Sequence, residues 1–185
     1  MNTPVQALSK TTISLHWIVA IFIIVIMAVG KIMTSNEIYS LYPIHKSFGA
    51  ILLPIVVIRI LWRIKEGWPS PVGPVVAWEH FLAKMVHWVL ILGTLAFPFS
   101  GAIMSIAGGR GLEVFGVFLV AMNMVNGEVA PLNGELAAFA KNIHLSLLPI
   151  MIVAILLHVA GALKHHFVAK DATLTRMLGC TKCRK

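Results

Sequence analysis

Charge is scarce in this chain. Only 12% of its 185 residues are Asp, Glu, Lys or Arg, about half the share of a soluble domain. Hydrophobic residues make up 58%, and the mean hydropathy is +0.88. That balance excludes an ordinary soluble domain. Acids are scarcest, seven against fifteen Lys and Arg, which leaves a formal charge of +8. In a soluble protein such a surplus suggests nucleic acid. Here the basic residues flank apolar runs, where they anchor helices, so no nucleic-acid partner is expected. Cysteine is nearly absent: Cys180 and Cys183 lie in the basic tail, too few for a disulfide framework, and they read as reduced cytoplasmic thiols. No Cys-x-x-Cys-His is present, which excludes covalent c-type haem attachment. There is no internal repeat and no low-complexity tract. No short apolar core is followed by a small-residue cleavage site, so the first apolar run is expected to stay as an uncleaved insertion signal.

What is present is long apolar runs. A helix needs about 20 such residues to cross a bilayer. Four segments qualify: Ser14 to Met33, Ile44 to Ile64, His80 to Ala107 and Asn142 to His165. Thr34-Ser35-Asn36-Glu37 ends the first and Pro43 introduces the second. Lys65-Glu66-Gly67-Trp68-Pro69-Ser70-Pro71 separates the second from the third, and Gly108-Gly109-Arg110-Gly111 ends the third. Pro98 predicts a kink in the third span, with Pro54 and Pro149 as further bends. The segment from Leu112 to Val125 is apolar, too short to span and interrupted by Glu113, which predicts a short helix lying at the interface. Val129 to Lys141 predicts a second short surface piece. The expected fold is an all-α integral membrane four-helix bundle, one domain over residues 1–185 with a cytoplasmic tail at 166–185 and a short interfacial helix between helices three and four.

Sidedness follows from the basic residues. One side carries Lys10, Arg59, Arg63, Lys65, Lys84, Lys164, Lys170, Arg176, Lys182, Arg184 and Lys185. The other carries Lys31, Lys46, Arg110 and Lys141. Eleven against four places both termini in the cytoplasm. Trp17, Trp62, Trp68, Trp78 and Trp88 gather near the inner boundary as an aromatic belt.

Eight histidines in so apolar a chain need a cause, because a polar side chain within a span is costly and faces a partner. His16, His45, His87, His144 and His158 lie within or at the ends of the spans. His144 and His158 are fourteen residues apart, about 21 Å of helical rise with an angular offset of about 40°. One helix therefore offers two imidazoles on one face at two depths. Imidazole is a common axial ligand of haem iron, and two stacked haems need this arrangement to relay electrons. The outer layer pairs His45 with His144. The inner layer pairs His158 with His16, and His87 is the rival, with a hydrogen bond to a haem propionate or a quinone as its other role. His80, His165 and His166 fall at water boundaries and read as interfacial.

Other chemistry fits less well. Zinc or iron sites gather three or four ligands at one depth, whereas these split into two layers. A proton relay would use carboxylates, which the spans lack. Structural hydrogen bonding explains a lone intramembrane histidine but not four at matched depths. Arg59 and Arg63, one turn apart, suit haem propionates or positive-inside anchoring equally. Gly30, Gly49, Gly93, Gly101 and Gly161 admit either a flat macrocycle or close helix packing.

The set of Ser14-Leu15-His16-Trp17, Ile44-His45-Lys46-Ser47-Phe48-Gly49, Arg59-Ile60-Leu61-Trp62-Arg63, His144, His158 and His165-His166 resembles the bacterial cytochrome b561 family over nearly the whole chain. The resemblance implies a bacterial inner-membrane cytochrome with two non-covalent b haems, the inner held by His16 and His158 and the outer by His45 and His144. It further implies a superoxide oxidase that reduces ubiquinone. Lys46 and Lys141, with Lys31 and Arg110 on the same side, form a cationic rim that would steer an anion. The alternative is a subunit that conducts electrons between a periplasmic dehydrogenase or cytochrome and the quinone pool, with residues 112–141 as its docking loop. A third reading, haem sensing or transport, requires no redox cycle. A homo-oligomer is compatible with all three.

Overall fold

The computed structural model describes residues 7–70, 72 and 76–180. Four helices dominate: α1 (Lys10–Ser35), α2 (Tyr42–Glu66), α3 (Ala77–Ala107) and α4 (Gly134–Lys164). Each is long and apolar enough to cross a bilayer. At most 33% of any span's most apolar stretch is buried within the chain, so most of its surface is left for lipid. This is a multi-pass membrane protein.

Local chemistry sets the helix ends. Ser9 caps α1 by accepting the Thr12 N–H at 3.1 Å, and the Thr12 hydroxyl donates to Glu66 at the far end of α2. Asn36 closes α1 onto the Ile32 carbonyl. A 3-10 turn (Tyr39–Leu41) leads into α2, where Pro43 stands in the first turn, the position at which a missing N–H costs nothing. Gly67 ends α2 at φ +73°, a backbone that favours glycine. Asn133 caps α4 by accepting the Leu136 N–H. Pro54, Pro98 and Pro149 all lie inside their helices.

The span bounds move outward, most of all in α4, which starts at Gly134. Residues 134–141, read above as a surface piece, are its first two turns. The expected interfacial helix is absent. Residues 112–129 instead form two antiparallel hairpins, β1 (Leu112–Val114) with β2 (Val117–Val120), and β3 (Met124–Val125) with β4 (Glu128–Val129). The fold is therefore not purely helical. The turns explain why. Phe115-Gly116 and Asn126-Gly127 have φ of +48°, +87°, +54° and +84°, the pair of positive values that two-residue hairpin turns require. The Ser47 hydroxyl accepts the Phe115 N–H at 2.9 Å, and Phe48 meets Phe115 edge to face at 5.2 Å. The hairpins thus sit over the start of α2.

After α4 come a π-helical turn (His165–Ala169) and α5 (Thr173–Met177). Trp17 Nε1 donates to the Met177 carbonyl and Arg176 to the Ser70 carbonyl, which folds α5 under the bundle. We call this the terminal end and the opposite one the hairpin end. The expectation of reduced thiols turns on Cys183 as well as Cys180. Cys183 lies outside the described residues.

The closely packed pairs are α3 with α4, α1 with α2, and α2 with α3. No comparable contact joins α1 to α4. The core is a single layer at mid-height built from Val19, Ile23, Leu52, Val56, Phe97 and Met151 among others. Met151 is fully buried and fills the space that Gly93 leaves by lacking a side chain.

The hairpin-end loop gives one prediction. A Cβ at Gly111 (φ +61°) would collide with the Val120 carbonyl, and one at Gly109 (φ +80°) with the Ala130 carbonyl. Backbone atoms cannot swing away, so Gly111→Ala should cost about 1–3 kcal/mol. Thermal unfolding in detergent should show a clear drop in midpoint. An unchanged midpoint would mean the cap contributes nothing to stability.

Candidate functional site

The histidines lie in two layers on opposite sides of the Met151 core. At the hairpin end, His45 of α2 faces His144 of α4 with ring centroids 6.3 Å apart and planes at 87°. At the terminal end, His158 of α4 lies 6.1 Å from His16 of α1 and 5.2 Å from His87 of α3. Imidazole nitrogens bind a first-row metal at about 2.0–2.1 Å. With a ring radius of about 1.2 Å, two imidazoles that face each other across one such metal would stand about 6.4 Å apart. The His45–His144 and His16–His158 spacings match that separation, and the His87–His158 spacing is too short.

Each layer fixes its rings differently. His144 Nδ1 is 2.9 Å from the Phe97 carbonyl and 3.2 Å from the Ser100 hydroxyl. A carbonyl oxygen only accepts, so Nδ1 carries the hydrogen and Nε2 is left bare, as a metal ligand must be. His45 Nδ1 is buried and faces the Ile26 carbonyl without completing a hydrogen bond. His16 differs. Its Nδ1 is 3.2 Å from Arg59 Nη2. A guanidinium only donates, so here Nδ1 accepts and the hydrogen sits on Nε2. Coordination through Nε2 therefore requires Arg59 to move away and the hydrogen to change nitrogen.

The glycines separate into two kinds. A Cβ on Gly30 of α1 would stand 2.9 Å from His45 Cε1, and one on Gly101 of α3 would stand 3.1 Å from His144 Cε1. Both keep space open beside the hairpin-end rings. Gly93 is a packing glycine, and nothing closer than 3.8 Å meets Gly49 or Gly161.

The remaining expected site residues spread out. The Lys46 ammonium donates to the Arg110 carbonyl at 3.4 Å, while Lys31, Arg110 and Lys141 are exposed. Arg63 donates to the Gly67 carbonyl at 2.9 Å, away from the histidines. His80 lies in the first turn of α3. His165 pairs with Asp171 at 2.6 Å. Burial pushes the Asp171 carboxyl up, but hydrogen bonds from Thr173 and His165 outweigh it and hold it below its usual range. Sequence reasoning missed Phe97 and Ser100, which orient His144. No pattern in the sequence marks this pair, since the carbonyl that Pro98 leaves without its ladder partner is that of Thr94, four residues back, and not that of Phe97.

Comparison with known proteins agrees with this geometry. The sequence profile of the family described as prokaryotic cytochrome b561 matches residues 7–179. The chain is 33% identical to cytochrome b561 homolog 2 of Escherichia coli (strain K12), covering 96% of this chain and 94% of that protein. It is 31% identical to cytochrome b561 homolog 1 of the same organism, over 92% and 96%. It is also 31% identical to a probable superoxide oxidase CybB of Yersinia pestis, over 90% and 92%.

Proposed function

Because the chain belongs to the prokaryotic cytochrome b561 family, haem-b proteins of membrane electron transfer, we propose that it is a di-haem superoxide:ubiquinone oxidoreductase of the bacterial inner membrane. In this reading residues 1–185 act as one membrane domain, with the terminal end in the cytoplasm and the hairpin end outside. The observation that carries it is the pair of imidazole spacings, 6.3 and 6.1 Å, one on each side of the apolar core. His45 and His144 hold the outer haem, and His16 and His158 the inner. His87 stands beside the inner pair without ligating. A bound b haem supplies a reversible one-electron iron couple.

The chain's own residues do the rest. Phe97 and Ser100 hold His144 in the ligating tautomer. Arg59, once released from His16, would neutralise a haem propionate, while Arg63 is held by the Gly67 carbonyl. Gly30 and Gly101 leave room for the macrocycle beside the outer rings. Lys31, Lys46, Arg110 and Lys141 give the outer face a positive field that raises encounter with an anion. Two superoxide anions give up one electron each and leave as dioxygen. One ubiquinone gains those two electrons and two protons and leaves as ubiquinol. The name of the Yersinia pestis relative supports superoxide as donor.

A second reading, an electron-conducting subunit docked to a periplasmic partner, is favoured by the hairpins. All four residues of β2, Val117, Phe118, Leu119 and Val120, are exposed hydrophobics. Superoxide-dependent quinone reduction by the isolated chain would exclude a strict need for that partner.

Three measurements test the proposal. The purified protein should carry two b haems per chain, and His144→Ala and His158→Ala should each lose one, with different features missing from the reduced-minus-oxidised spectrum. A single haem, or the same feature lost in both, would sink the two-layer arrangement. Gly101→Val should remove the outer haem and spare the inner one, read from the same spectrum. A full complement in that variant would mean that the space beside His144 is not haem space. Lys46→Gln with Lys141→Gln should slow reaction with superoxide about 3–10-fold at low salt and flatten its ionic-strength dependence. An unaltered salt slope would show that the rim does not steer.

A further inference from the structure

The outer face of the α3–α4 seam carries a groove of about 480 Å³ whose lining is wholly apolar, with Leu82, Met85 and Val89 on one side and Ile150 and Leu157 on the other. Val86 and Ala154, 8% and 5% exposed, form its floor. From Leu82 to Val89, and from Leu157 back to Ile150, it runs about 10 Å along the bundle. Both helix faces continue toward the terminal end. On α3 the next turn brings Trp78, 62% exposed. On α4 the same face passes Gly161, where an added Cβ would meet nothing within 4 Å, and reaches Lys164. The Lys164 ammonium donates to Glu79 Oε1 at 2.6 Å and stands 5.7 Å from the Trp78 ring. A greasy channel therefore leads to one cation, one anion and one indole.

We propose that this groove binds one glycerophospholipid of the terminal-end leaflet, with an acyl chain along the groove and a zwitterionic head group that ends in a primary ammonium. The site is separate from both histidine layers and does not depend on the redox reading above.

The charges at the mouth match that head group one for one. An ammonium has three N–H donors. Lys164 spends one on Glu79, and the others serve a phosphate. Glu79 accepts at Oε1 and keeps Oε2 for the lipid ammonium. A choline head group has no N–H to donate there. Trp78 sets the indole at the boundary level, where tryptophan anchors membrane helices. Between these groups and the groove lie about 6 Å of rise on α3 and about 10 Å on α4, an interval for the glycerol and ester region.

Two other occupants fit less well. An anionic lipid brings a negative charge that nothing at the mouth balances, because Lys164 and Glu79 cancel. His80 and Lys84 do not help, since they lie about 160–200° around α3 from Leu82. A second copy of the chain would seat a helix in the groove, and helix association in lipid favours small residues that let backbones approach. The rims here are Leu, Met, Val and Ile, an uneven wall to which a flexible acyl chain adapts.

The test is native mass spectrometry of the full-length, haem-loaded protein, delipidated in detergent and titrated with phosphatidylethanolamine, phosphatidylglycerol or phosphatidylcholine. One phosphatidylethanolamine per chain should be retained, about threefold or more tighter than either other lipid, the scale of one exposed ion pair. Glu79→Gln should erase that preference, and Lys164→Gln should weaken all three lipids. The Lys164 and Glu79 side chains are 47% and 24% exposed, and such a pair adds little to stability, so both variants should keep the wild-type haem spectrum. Val153→Trp, which fills the groove without touching the pair, should abolish retention. If that variant disturbs the haem spectrum, the preference in Glu79→Gln decides alone. No retained lipid, equal retention of all three, a preference unchanged in Glu79→Gln, or a dimer that Val153→Trp dissociates would overturn the assignment.

Discussion

Helix α4 carries His144, Met151 and His158 at seven-residue intervals, and the rest of the structure is arranged around that spacing. Seven residues are two turns less about 20°, so the three side chains share one face. The middle one is fully buried in the space left by Gly93. In lipid, burial of apolar surface between helices gains little, and association rests on close packing of small residues against large ones. The bundle concentrates that packing in the Met151 layer and along the α3–α4 seam. The planes of His144 and His158 are then free of it. Because α1 makes no comparable contact with α4, rings from α1 and α2 can face those of α4 across a gap rather than being pressed together.

The two layers are not copies of each other. At the hairpin end the Phe97 carbonyl and Ser100 hydroxyl hold His144 in one tautomer, and no charged group touches either ring. At the terminal end a guanidinium bonds His16 and selects the other tautomer. A buried cation needs an anionic partner or a strong acceptor, and in this structure the imidazole nitrogen serves Arg59 as that acceptor. An incoming carboxylate is a better acceptor for a guanidinium than a neutral nitrogen. An anionic group entering the terminal-end layer would therefore draw Arg59 off and free His16 in one exchange. The hairpin-end layer has no such exchange to make.

Much of this was legible in the sequence, and the illegible parts share a cause. The four spans follow from hydropathy alone, since a bilayer admits few alternatives for an apolar run of that length. The face shared by His144 and His158 follows from helical geometry. The different distances of His16 and His87 from His158 did not, because they turn on the width of the gap between helices, which spacing along one chain does not encode. The hairpins were misread because Leu112 to Val125 is apolar and short, where periodicity is ambiguous. The turn chemistry decides that segment: Asn126-Gly127 is a strong hairpin signal, and Phe115-Gly116 is a weaker one. The roles of the glycines were also beyond the sequence. Gly30, Gly93 and Gly101 look alike in the chain, yet two open space beside histidines and one receives a methionine.

The hairpins matter to access. Ser47, one turn into α2, donates to the Pro43 carbonyl and accepts from Phe115, so a single buried hydroxyl ties the loop to the helix two residues after His45. Lys46 reaches the Arg110 carbonyl from the same turn, and Phe48 stacks edge-on against Phe115. Three successive residues of α2 thus hold the loop directly above the hairpin-end histidines. Gly109 and Gly111 let the loop's backbone approach itself more closely than any side chain would permit. The result is a thin, tightly anchored cover rather than an open vestibule. The cations Lys31, Arg110 and Lys141 are exposed at that end of the bundle.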